Sequence, residues 1–211
     1  MKRTYWGKRT LAEADALLTE SILHSHRRLQ KTYLSTAKYC IDQLEQIYIK
    51  IQNSGNPDQI TRNMIYTYQG YYEKLQLCYD KLDKLGVKTV DGLSRNLTDL
   101  YVDNTKFINS TTLKPLGINI SMGGIDKRAE QASQAIWAAD GKSWSERLWG
   151  DTARLKSTLQ EVVPRVMMSG QGVMQLTYEL QKEFSVSFDK AKRLATTELT
   201  HIYATSAQAT Y

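Results

Sequence analysis

An all-α fold is predicted, on three observations. Apolar residues recur at spacings of three, four and seven over long stretches, which gathers them on one face of a helix. The 3 Pro and 12 Gly among 211 residues fall mostly in short clusters between those stretches. Alternation of the kind a strand requires is confined to one short segment, which favours a helical class over sandwiches and barrels. A hydrophobic content of 41% is enough to bury a core in one large or two small domains.

The first element is a basic arm, residues 1–9, with Lys2, Arg3, Lys8 and Arg9 around Tyr5 and Trp6 and no acidic residue among them. The net charge of +6 is therefore carried largely by this end, and the remainder is only slightly basic. Cations neutralise phosphates without reading sequence, and an aromatic pair gives an arm something to bury. A basic tail by itself is usually a solvated end.

A helical hairpin is expected over 10–86. Leu11, Leu18, Ile22, Leu29, Tyr33, Ala37, Ile41, Leu44, Tyr48 and Ile51 mark one face of a helix from Thr10 to Asn53, a rod of about 65 Å. Asn53-Ser54-Gly55-Asn56-Pro57 breaks it, with Gly55 suited to the C-cap and Asn56-Pro57 to the start of the next helix. The second stripe, Ile60, Met64, Tyr68, Tyr71, Leu75, Cys78, Leu82 and Leu85, ends at Gly86, and the two should pack antiparallel.

From 87 to 124 the period weakens and breakers accumulate, so this stretch reads as an irregular linker with a short helix over Leu93–Val102. Leu116, Ile118 and Ile120 alternate there as a short strand would. Helical spacing returns over 125–211. Ala129, Ala132, Ile136 and Trp137 mark one helix. After the Asp140-Gly141 turn, Ser143 and Glu146 form a capping box ahead of Trp144, Leu148, Leu155, Leu159, Val162 and Val166. Ser169-Gly170-Gln171-Gly172 closes that helix, Val173 opens another, and Ser185-Val186-Ser187 is expected to interrupt it before Phe188.

The chemistry-bearing residues are sparse. His24 and His26 are two apart, so on a helix they face different ways and cannot share a metal as an i, i+4 pair would. Cys40 and Cys78 lie on the apolar stripes, where a thiol acts as a small hydrophobe. They need not meet, so reduced thiols are the default and a disulfide the minor reading. No nucleophile elbow, phosphate loop or zinc spacing is found, and Gly170-Gln171-Gly172 lacks the strand a nucleotide site needs. The reading is therefore no enzyme, no cofactor, no metal and no small-molecule ligand. No apolar run approaches the roughly 20 residues of a membrane helix, so no membrane partner is expected and an intracellular, soluble protein is read. Of the 13 tyrosines, those at 33, 39, 48, 66, 68, 71, 72 and 79 crowd the hairpin and read as packing.

Trp144-Ser145-Glu146-Arg147-Leu148-Trp149, Leu155 and Leu159, Gly170, and the element from Arg193-Leu194 to Thr197-Glu198 follow one another in an order that resembles the phage Mu F-like (MuF) head-morphogenesis family. These are minor head proteins encoded beside portals in tailed phages. The resemblance covers roughly 137–211 well and the Tyr5-Trp6 opening weakly. One departure is Thr196, where the family pattern usually has arginine. Family members often continue further, so the natural protein is expected to extend past Tyr211.

The resemblance implies a compact helical domain in which Trp144, Arg147, Gly170, Arg193, Thr197 and Glu198 serve packing. Glu198 is expected to pair with Arg147 or Arg193, Arg147 leading, and Trp137, Trp144 and Trp149 to anchor the core. It further implies association with the portal and other head proteins, for some members contact with double-stranded DNA, and location in the virion head after assembly in the host cytoplasm. Lys2, Arg3, Tyr5, Trp6, Lys8 and Arg9 are the candidate contacts to portal or DNA. The alternative is the assembly domain of a longer MuF-type toxin.

Overall fold

The computed structural model describes residues 5–54, 64, 65, 68, 70–118 and 120–210, with side chains from residue 12 onward apart from 54. Among the described residues the protein is helical and has no strand. The helices are α1 (Tyr5–Ser54), α2 (Tyr71–Ile108), α3 (Ile125–Gln134), α4 (Trp144–Met168) and α5 (Val173–Gln208). A π turn, Asn109–Leu113, and a 3-10 turn, Lys114–Leu116, close α2. Two compact units result: a terminal unit of Met1–Arg28, Val90–Ser145 and Lys192–Tyr211, and a bundle unit of Leu29–Thr89 and Glu146–Ala191. Each joins segments distant in sequence, unlike the contiguous hairpin and C-terminal domain read from the sequence.

In the bundle unit four segments pack in a ring, each antiparallel to the next. Between α1 and α2, Lys74 Nζ donates to Gln43 Oε1 at 2.7 Å and Lys81 stands 5.1 Å over the Tyr39 ring. Between α2 and α4, Lys156 reaches Asp83 at 2.7 Å. Arg154 and Glu183 join α4 to α5 at 3.3 Å, and Tyr33 meets Phe188 between α1 and α5 at 5.8 Å between ring centroids. Leu44, Leu75, Leu82, Leu155, Leu159, Leu176 and Leu180 fill the centre, fully buried. Each such leucine stabilises by about 1.5–3 kcal/mol through burial.

Two features of this unit reverse the sequence reading. Gly86 does not end a helix. A Cβ there would lie 2.5 Å from the Trp149 ring, so the glycine lets α2 run on while an indole crosses its backbone. Trp149 is accordingly 38% exposed, lying over α2 and not in the core. Ser185-Val186-Ser187 does not interrupt α5 either; Ser187 is buried and hydrogen-bonds Asp151 of α4. A single serine inside a helix carries only a small propensity penalty, which this contact offsets.

Pro164 lies inside α4. With no N–H, it leaves the Gln160 carbonyl without its helical donor. Tyr71 supplies one: its hydroxyl donates to Gln160 O at 2.8 Å. The α4–α5 turn closes as expected. Gly170 takes φ +68°, and Gln171 N–H returns to Val166 O at 3.2 Å while Gly170 N–H returns to Met167 O at 3.1 Å, a Schellman pair. Tyr48 caps the same turn by donating to Gln171 O.

The other boundaries shift for similar reasons. α1 begins at Tyr5, not Thr10, so the backbone of 5–9 is helical. The inter-helix break falls partly outside the described residues, but Gly70 at φ +93° immediately precedes α2. α2 absorbs the expected short helix and continues to Ile108. No strand forms at Leu116, Ile118 or Ile120. Met64 and Ile65 are helical, and Ile65 is fully buried.

Candidate functional site around Trp137

Within the terminal unit the residues of interest gather on α5 and on the segment after α3. α3 buries Ile125, Ala129 and Ser133 along one face and stops at Gln134, where Ala135 turns extended at ψ 132°. The expected continuation through Ile136 and Trp137 fails there, so Trp137 leaves the helix. Its indole is 44% exposed, where a core anchor was expected. It stacks on the His201 imidazole at 4.4 Å and 19°, and its Nε1–H donates to Glu198 Oε2 at 2.9 Å.

Glu198 and His201 are one helical turn apart on α5 and so share a face. Glu198 is only 5% exposed. A buried carboxylate needs donors to replace lost water, and a hydrogen bond to a charged acceptor is worth about 1.5–3 kcal/mol. The donor seen here is an indole N–H. The arrangement binds a loop to a helix through one aromatic ring and leaves part of that ring, with the 58%-exposed Ile136 beside it, open to solvent.

The remaining motif residues separate by face. Trp144 is buried, as expected, and its Nε1–H donates at 2.8 Å to Ser133 O, one of the carbonyls that the end of α3 leaves unpaired. Arg193 and Thr197 are exposed, and Thr197 Oγ1 merely donates back to Arg193 O at 3.0 Å. Their predicted packing role is not met, because they lie on the face of α5 opposite Ala195, Glu198, Leu199 and Ile202. The side chains of Lys2, Arg3, Tyr5, Trp6, Lys8 and Arg9 lie outside the described residues.

His26 of α1 contacts Thr196 Oγ1 at 2.9 Å through Nε2. Burial first, and then the charge of Lys192, lower its pKa below the usual 6.5. Thr196 thus meets an imidazole. A cleft of about 310 Å³ in this unit is lined by Glu20, His24, Asp99 and Asp103 among others. Its carboxylates repel phosphate, so it does not suit nucleic acid. Among the described residues no group of three or more His, Cys, Asp or Glu side chains is placed to hold a metal ion, and no helix is long and apolar enough to cross a membrane.

Sequence reasoning missed the role of Trp137. The run Ala135-Ile136-Trp137-Ala138-Ala139 has no breaker and reads as helix, so nothing local marks where α3 ends. The Asp140-Gly141 turn was the nearest signal. Compared with known proteins, the chain matches no family model, no curated protein and no solved structure.

Proposed function

We propose that this chain is a structural minor head protein of a tailed phage, associated with the portal and acting in head morphogenesis and in DNA packaging or delivery. The observation that carries this reading is the ordered run from Trp144 to Glu198 that resembles the MuF-like pattern. The helical build is compatible with such a scaffold role, and the partly exposed Trp137 and Ile136 offer a contact surface next to the element carrying Glu198. The basic residues Lys2, Arg3, Lys8 and Arg9, with Tyr5 and Trp6, are the contacts proposed for portal carboxylates or DNA phosphates.

The test is co-expression with the portal protein that the proposal expects to be encoded beside it, followed by co-purification at low and high salt, for the full chain and for a chain lacking residues 1–9. Retention at high salt that is lost on deletion identifies an aromatic-anchored portal contact, because apolar burial is not screened. Binding to duplex DNA that falls steeply with salt and disappears on deletion identifies phosphate contact. Failure to bind portal or DNA in any arm of the experiment overturns the proposal.

A further inference from the structure

The two cysteines of the chain face each other. Cys40 on α1 and Cys78 on α2, 38 positions apart, are both free and fully buried in the bundle unit. Their contacts are reciprocal: Cys40 Sγ reaches the Cys78 carbonyl oxygen at 4.0 Å, and Cys78 Sγ reaches the Cys40 carbonyl oxygen at 3.9 Å. Each thiol thus touches the backbone that carries the other. Such mutual contact requires close approach of the two helices at this level, the condition a disulfide imposes on its Cα atoms. Leu44, Leu75 and Leu82 hold the neighbouring positions of the same two stripes and are fully buried.

We propose that Cys40 and Cys78 form a latent disulfide, which an oxidant of the small-disulfide class closes to tie α1 to α2. The thiolate of one cysteine attacks a sulfur of the small disulfide and expels one thiolate. The second cysteine, deprotonated, attacks the protein sulfur of that mixed disulfide and expels the other. The two protein thiols lose two protons and two electrons. The oxidant gains both and leaves as two thiols. The facing thiol and burial hold the Cys40 proton firmly, so the reaction proceeds through transient opening of the helix pair and is slow in the closed state. The bond would stay open in a reducing cytosol and close in oxidising surroundings.

The full chain, purified reduced, is incubated with glutathione disulfide at neutral pH, with and without low urea, and digested without reduction. The expected product is a monomer lighter by two hydrogens, containing one cross-linked peptide pair that joins Cys40 to Cys78, formed faster in low urea. Its melting temperature should rise by roughly 10 °C, because the bond closes a long loop in the unfolded chain. Cys78→Ala should give only the glutathione adduct of Cys40. If that variant does not fold, the cross-linked peptide of the natural chain decides alone. Thiols that a maleimide labels in low urea but that yield only adducts or linked dimers overturn the proposal, as does a bond that lowers the melting temperature.

Discussion

The two units solve the same packing problem with different chemistry. The bundle unit is centred on leucines that are wholly buried, and its exposed rim is joined by ion pairs such as Lys156–Asp83 and Arg154–Glu183. The terminal unit instead buries Ser25, Asn96, Asn104, Asn109, Ser133, Glu198 and Ser206. Some of these are well served: Asn104 Nδ2 donates to Ser206 Oγ at 2.8 Å and to Tyr203 O at 3.1 Å. Others are not: among the described residues Asn96 Nδ2, Asn104 Oδ1 and Asn109 Oδ1 are buried without a partner, as are Thr89 Oγ1 and Arg154 Nη2 in the bundle unit. An unpaired buried polar atom costs about 1–3 kcal/mol, and both units carry such atoms; what sets the terminal unit apart is that it buries amides and a carboxylate where the bundle unit buries only hydroxyls among its polar residues.

The largest test of that contrast pairs two core substitutions. Leu159→Ala removes a fully buried side chain from the bundle unit and should lower stability by about 2–5 kcal/mol. Asn96→Leu in the terminal unit should be neutral or stabilise by up to about 1 kcal/mol, because it replaces an unpaired donor with an apolar group of similar size. Urea denaturation of both variants measures the two changes. Equal losses would break the comparison.

The glycine inside α2 gives the next effect. Gly86→Ala drives a methyl into the Trp149 ring and should cost about 1–3 kcal/mol as overpacking. Trp149→Leu in the same chain should relieve most of it. Thermal unfolding of the two single variants and the double variant separates steric crowding from helix propensity, which alone would make alanine favourable.

What the sequence revealed follows the same division. The stripes through Leu44, Leu75, Leu82, Leu155, Leu159, Leu176 and Leu180 are legible because apolar burial imprints a period, and the Gly170 turn is legible because a left-handed residue favours glycine. Gly86 misled because glycine that ends a helix and glycine that admits a neighbouring ring look identical in one sequence. The joining of α1 and α2 to α4 and α5 within the same units was not legible, because it depends on contacts between residues far apart in the chain. Trp137 escaped for the same reason: its partners Glu198 and His201 lie more than sixty positions away, and no local pattern couples them.

Tyr71 and Pro164 sharpen the account of the bundle unit at a smaller scale. Tyr71→Phe leaves the Gln160 carbonyl without the hydroxyl that replaces the missing proline N–H, and should cost about 1–2 kcal/mol. In a Pro164→Ala background the helix regains its own donor, so the same substitution should cost clearly less. A double-mutant cycle reads the coupling directly. An uncoupled pair would show that the tyrosine contributes only through its ring.

The smallest effect distinguishes the units by pH. His26 in the terminal unit has its pKa lowered from 6.5, so the folded state prefers the neutral ring and the unfolded state binds the proton more readily. Its contribution is present above pH 6.5 and is lost as pH falls through the lowered value. Tyr33 in the bundle unit is pushed up to about 12 by burial first and then by the charge of Asp151, against a lowering by its hydrogen bond with Ser187. Its contribution is present below pH 10 and is lost as pH rises from 10 towards 12. Mild acid should therefore speed amide exchange in the terminal unit first, and alkali should do so in the bundle unit first. The acid effect should be well under 1 kcal/mol because the ring is half-buried and the nearby Lys192 charge is screened by solvent. His26→Gln keeps a polar side chain beside Thr196 without a titrating proton, so it should flatten the response below pH 6.5 while leaving the alkaline limb unchanged. An unaltered acid limb in that variant would assign the pH response of the terminal unit to other groups.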